Sequence, residues 1–145
     1  MSYVSSLYHI VFSTYCRKPV INDNNRHHLY SVLAKEIQEN KSKALIINGV
    51  HDHVHILLSL HQSVSLSVLI RQIKSKSSVW AKSSGLFPDF EGWEREYGAF
   101  SVSNTHKDSV YKYILNQQIH HASVSSDDEY RRLISKAGLE YYEGV

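Results

Sequence analysis

The chain has 145 residues, 42% hydrophobic and 21% charged, which suits one globular domain with its own core. Its one cysteine, Cys16, excludes an internal disulfide or a cysteine zinc knuckle and fits a reducing, cytoplasmic setting; no signal peptide or stretch of ~20 apolar residues for a membrane helix is seen. The net charge of +2 hides an asymmetry: residues 1–88 hold ten Lys/Arg against four Asp/Glu, and residues 89–145 hold six against ten, so the first part suits an anionic partner such as nucleic acid if the imbalance is more than surface scatter.

Tyr3 to Thr14 reads as a strand. Leu7, His9 and Val11 alternate with Tyr8, Ile10 and Phe12, and both sets are largely apolar, as in a strand buried on two sides. Asp23 is a candidate N-cap for a helix to about Asn40, with Leu29, Val32, Leu33 and Ile37 as its apolar stripe. Ala44 to Val50 is a second strand, and a tight link around Gly49–Asp52 returns the chain into the histidine strand, which runs on to Leu60. Ser65 caps the next helix, in which Leu66, Leu69, Ile70, Ile73, Ser77 and Trp80 recur at helical spacing. Its other faces carry Arg71, Lys74, Lys76 and Lys82 with no acidic residue between them, a candidate phosphate-binding surface or a solvated face. Residues 83–96 read as a loop whose acidic stretch has no evident role. Tyr97 to Ser103 is a short strand, a helix follows over about 107–121, and a last helix over 126–136 precedes a tail ending Tyr141-Tyr142. The order β-α-β-β-α-β with two extra C-terminal helices predicts an α+β, ferredoxin-like antiparallel sheet with helices on one face. Its other face is then left for solvent, substrate or another subunit.

The segment His51-Asp52-His53-Val54-His55 places histidines at every second position. In a strand they share a face, opposite Val54, Ile56 and Leu58, and paired imidazoles on a rigid strand can grip a divalent metal. Tyr113 and Gln117 are four apart on a helix and so lie on one face. Gln117 can offer a carbonyl oxygen to complete a His–His–Gln site suited to Mg²⁺ or Mn²⁺. Tyr113 then lies one turn from a metal that would polarise a phosphate oxygen, which makes tyrosine attack on a phosphodiester chemically reasonable. Tyr111 points roughly 200° away. His120, near the helix end, reads as a surface or capping group, and Cys16 as a small apolar residue.

In combination these stretches resemble a family: the single-tyrosine HUH transposases of the TnpA type, which belong to small insertion sequences that move as single-stranded DNA. The resemblance runs over almost the whole chain, which is read as one domain of residues 1–145. His9-Ile10-Val11-Phe12-Ser13-Thr14 resembles the family's first strand, Asp52-His53-Val54-His55-Ile56-Leu57 its metal motif and Leu69 to Ser78 its basic helix. Tyr97 to Ser103 resembles its last strand, and Tyr113-Ile114-Leu115-Asn116-Gln117 its nucleophile motif, with His120-His121 following. The resemblance implies that His53, His55 and Gln117 bind the metal. It implies that Tyr113 attacks, leaving a 5′-phosphotyrosine and a free 3′-OH that later attacks a second phosphotyrosine without ATP. It further implies hairpin-bearing single-stranded DNA as substrate and a homodimer in which one subunit's tyrosine helix can complete the other's site. Arg71, Lys74 and Lys76 are the candidate DNA contacts. A domesticated or replication-type nickase and a non-catalytic nucleic-acid-binding relative are the alternatives. His51 stands where the pattern requires no histidine.

Overall fold

The computed structural model describes residues 2–139; Met1 and residues 140–145, including the tail tyrosines Tyr141 and Tyr142, lie outside the described residues. The elements are β1 (Leu7–Ser13), α1 (Arg26–Glu39), β2 (Lys43–Val50), β3 (His53–Ser59), α2 (Leu66–Ser84), β4 (Gly98–Val102), α3 (Lys107–Leu115), α4 (Gln117–His120) and α5 (Ser126–Lys136). The strands form one antiparallel sheet in the order β2-β3-β1-β4, so the ferredoxin-like pattern expected from the sequence is present.

Strand alternation divides the two faces. Ile10 and Phe12 of β1 and Val54, Ile56 and Leu58 of β3 point to one side. There they meet Leu29, Leu33 and Ile37 of α1 and Leu69, Ile70 and Ile73 of α2, forming the main core. Each fully buried aliphatic side chain contributes about 1.5–3 kcal/mol relative to exposure. Ser65 caps α2 by accepting from Val68 N, and Gly85 ends it at φ 75°, the left-handed conformation that glycine adopts without steric cost.

The other face carries His9 and Val11 of β1 and His53, His55 and Leu57 of β3, all of them buried. The face expected to stay open is covered at its centre, because α3 and α4 pack there against β2 and β3, and Glu129 of α5 reaches the β3 histidines.

Three boundaries differ from the sequence reading. β1 begins at Leu7, whose partner Ser59 ends β3, and Tyr3 and Val4 are exposed at 91% and 58%. α1 begins at Arg26, because Asn22 Oδ1 accepts from Asn25 N at 2.9 Å and closes a turn over residues 23–25. The helix expected over 107–121 is broken at Asn116. Asn48 of β2 supplies the reason: its Nδ2 donates to Ile114 O at 2.9 Å and Leu115 O at 3.1 Å, drawing both carbonyls out of a helical ladder. Asn48 Oδ1 accepts in turn from Gln118 Nε2 at 2.7 Å, which fixes α4 on the same strand.

Candidate active site

β3 starts at His53, so His53 and His55 share the α3–α5 face while His51 sits in the preceding turn. His51 is 55% exposed and pairs with Asp23 at 3.0 Å, apart from the site. The tight hairpin needs Gly49: a Cβ there would lie 2.1 Å from His53 O.

Each strand imidazole is held by a partner at its rear nitrogen. His53 Nδ1 donates to Asp52 Oδ1 at 2.8 Å, and His55 Nδ1 shares a hydrogen bond with His9 Nε2 at 2.8 Å. Both Nε2 atoms therefore face the same space, the arrangement by which partners behind an imidazole orient a metal ligand. Asn116 turns α4 so that His121 Nε2 enters this space from the helix side.

The group at the centre is Glu129, 2% exposed, from the first turn of α5. Its Oε1 lies 3.1 Å from His53 Nε2, 3.0 Å from His55 Nε2 and 2.9 Å from His121 Nε2. Its Oε2 accepts from the Tyr113 hydroxyl and, at 2.8 Å, from Gln117 Nε2; His120 Nε2 stands 3.3 Å away. A buried carboxylate costs several kcal/mol unless its oxygens are fully partnered, as these are. The structure brings Tyr113, His53, His55 and Gln117 together around this carboxylate. Glu129, His121, His9 and Asp52 join the site without being candidates from the sequence, and the ring of His120, which the sequence reads as a surface or capping group, borders it.

Protonation follows from these contacts. Burial, with His55 alongside, lowers His9 to about 3, and burial lowers His55 to about 4, so both rings are neutral near pH 7. Burial alone would lower His53 as well, but hydrogen bonds to Asp52 and Glu129 raise it to about 9. Burial would raise Glu129, yet its imidazole partners hold it well below the usual carboxylate range. Burial and the Glu129 carboxylate push the Tyr113 phenol up, so the hydroxyl is protonated near pH 7. Beside Tyr113 opens a cavity of about 620 Å³ lined by His9, Phe100, His106, Val110, Leu133 and Lys136.

The donor set fits a divalent cation. Ligand atoms of His53, His55, His121 and Glu129 all lie within 4.8 Å of one another, and Gln117 Oε1 is buried with no hydrogen-bond partner among the described residues. Three imidazoles with carboxylate and amide oxygens suit Mn²⁺ and its first-row neighbours better than Mg²⁺, which prefers oxygen alone.

The basic helix lies elsewhere. α2 packs on the opposite sheet face from Tyr113. Lys74 Nζ donates to Glu94 O at 2.5 Å and Arg95 O at 2.9 Å, and burial lowers its pKa. Lys76 stands 3.6 Å from Glu36, while Arg71 is exposed. The acidic loop has a structural role: Lys18 pairs with Glu91 at 2.9 Å, and Trp93 packs on Phe12 and donates to Ser77 Oγ at 2.9 Å. Among the described residues, no helix is long and apolar enough to cross a membrane.

A four-stranded antiparallel sheet with His-x-His on its buried face, a tyrosine within reach and a glutamine one turn on defines the class: HUH proteins with one tyrosine. The chain belongs to the family described as "Transposase IS200 like", whose model matches residues 2–117. Two solved structures share the fold. One is a candidate transposase from Deinococcus radiodurans R1, with a TM-score of 0.62, 24% identity and coverage of 81% of this chain and 95% of that one. The other is a REP-associated tyrosine transposase bound to a REP hairpin, with a TM-score of 0.59, 17% identity and coverage of 100% and 90%. A search of curated proteins gave no match.

Proposed function

We propose that this transposase cleaves and rejoins single-stranded DNA at hairpin-bearing ends, with Tyr113 as nucleophile and a 5′-phosphotyrosine as intermediate. The observation that carries the reading is the meeting of the Tyr113 hydroxyl, Gln117, His53 and His55 around one buried carboxylate. Attack of Tyr113 Oη on phosphorus forms the O–P bond and breaks the bond to the 3′ oxygen. That oxygen leaves as an alkoxide and takes a proton from solvent to become the 3′-hydroxyl, while the phenolic proton passes to solvent. Resolution reverses the step with a second 3′-hydroxyl, so no ATP is needed.

His53, His55 and Gln117 would hold the cation, Mn²⁺ or Mg²⁺, with His121 beside them. When bound it supplies charge to stabilise the phosphate in the transition state. The chain's own residues do the rest. Asp52 and His9 fix the imidazoles, Asn48 fixes the helix carrying Tyr113, and burial keeps the phenol protonated in the resting site. A hairpin as the recognised element is supported by the fold shared with a hairpin-bound tyrosine transposase. Arg71 and Lys76 remain candidates for phosphate contact, and a homodimer is part of the proposal, since joining needs two phosphotyrosines.

The test is Tyr113→Phe with hairpin-bearing single-stranded oligonucleotides and Mn²⁺. Covalent adduct and cleavage are expected to vanish while DNA affinity stays. Cleavage by the variant at the wild-type rate would remove Tyr113 from the reaction.

A further inference from the structure

The two oxygens of Glu129 face different halves of the site. We propose that Glu129 is a ligand of the divalent cation through Oε1 and, through Oε2, sets the position of the Tyr113 hydroxyl relative to that cation. The inference rests on the reading of Tyr113 and the strand histidines given above.

Distance is the first argument. Oε1 stands 2.9–3.1 Å from the Nε2 atoms of His53, His55 and His121. Adjacent ligand atoms about 2.1 Å from an octahedral ion stand about 3.0 Å apart. The carboxylate oxygen thus keeps the spacing of a fellow ligand to three imidazoles at once. Gln117 is the second argument. Its Nε2 is engaged by Glu129 Oε2 at 2.8 Å, which leaves its buried Oε1 as the free donor. The same carboxylate therefore fixes which end of the amide is offered.

α5 is also anchored by contacts that do not involve Glu129. Ser126 Oγ donates to Asp52 Oδ1 at 3.0 Å, Arg17 pairs with Asp127, and the ring of Tyr130 lies against Gly98. Ser125 caps the helix by accepting from Asp128 N at 3.2 Å, which sets the first turn that carries Glu129. The helix is thus placed by its own contacts, and Glu129 is presented to the site as a consequence.

The experiment compares full-length wild type, Glu129→Gln and Glu129→Asp. Mn²⁺ is titrated calorimetrically without DNA, and adduct formation is then followed at saturating Mn²⁺. Glu129→Gln is expected to weaken Mn²⁺ binding by about tenfold or more, with Glu129→Asp weakened less. kcat for adduct formation should fall in Glu129→Gln while KM for the oligonucleotide holds, because Glu129 reaches the phenol and not the DNA. Equal or tighter Mn²⁺ binding by Glu129→Gln would overturn the proposal, since the carboxylate would then be only a stand-in for the cation. If circular dichroism shows Glu129→Gln unfolded, a folded Glu129→Asp with wild-type Mn²⁺ affinity and kcat overturns it equally. Absence of a Tyr113-dependent adduct in the wild type would strike the transposase reading alone, because the metal titration uses no DNA.

Discussion

Asp52→Asn removes a charge and leaves the shape of the side chain almost unchanged. Asp52 Oδ1 accepts from His53 Nδ1 at 2.8 Å and from Ser126 Oγ at 3.0 Å. Its backbone carbonyl, which accepts from Thr14 N at 2.9 Å, is untouched, so the β2–β3 turn should keep its place. An orienting carboxylate behind a ligating imidazole is worth about 10–100-fold in metal affinity, or about 1.4–2.8 kcal/mol. Asparagine can still accept from Nδ1–H, so about tenfold is expected for Asp52→Asn and a larger loss for Asp52→Ala. The assay is calorimetric titration of Mn²⁺ into the DNA-free protein, with the ¹⁵N shifts of the His53 ring as a second readout of tautomer. Unchanged affinity and an unchanged tautomer in both variants would refute the argument that Asp52 prepares His53 for the cation.

Saturating Mn²⁺ at about 100 times its Kd should stabilise the fold by about 2.7 kcal/mol, a rise in Tm of several degrees that chelation reverses and His55→Ala abolishes. Gly49→Ala places a Cβ 2.1 Å from His53 O and 3.0 Å from Val54 Cα, both backbone, so the hairpin must open; a loss above about 2 kcal/mol is expected in thermal melts, together with weaker Mn²⁺ binding. Asn48→Ala strips the side-chain partner from Ile114 O and Leu115 O, costing about 1–3 kcal/mol, and should slow adduct formation by displacing the tyrosine helix. Burial raises the Tyr30 phenol to about 12. The unfolded chain ionises that phenol from about pH 10 while the folded chain does not. Wild-type stability therefore falls between pH 10 and the folded value, and the decline should be shallower in Tyr30→Phe.

The fold was legible wherever one period dominated a segment. Alternation in β1 and β3 and the i, i+3, i+4 stripe of α2 fix faces with no knowledge of partners. The His53–Val54–His55 alternation and the four-residue step from Tyr113 to Gln117 were legible for the same reason. Glu129 was not, because its meaning arises between elements: the strand imidazoles it meets are 74 and 76 positions away. α5 reads as a polar surface helix, and glutamate is rarely buried at all. The usable signal was Ser125 followed three residues later by Asp128, a capping pattern that dates the helix start and puts Glu129 in its first turn. The break at Asn116 was hidden likewise, because nothing in residues 107–121 announces that Asn48 takes two of their carbonyls. The placement of Lys74 on loop carbonyls could not be read from a lysine count.

Among the described residues, groups from β3, α3, α4, the turn after α4 and α5 meet around the Glu129 carboxylate. This has a kinetic signature. Under the proposed reaction, strand scission at such a centre would be first order in protein, with a rate per molecule that dilution leaves alone. Joining two ends would need an adduct at one centre and the 3′-hydroxyl freed at another, so its yield would depend on two centres meeting.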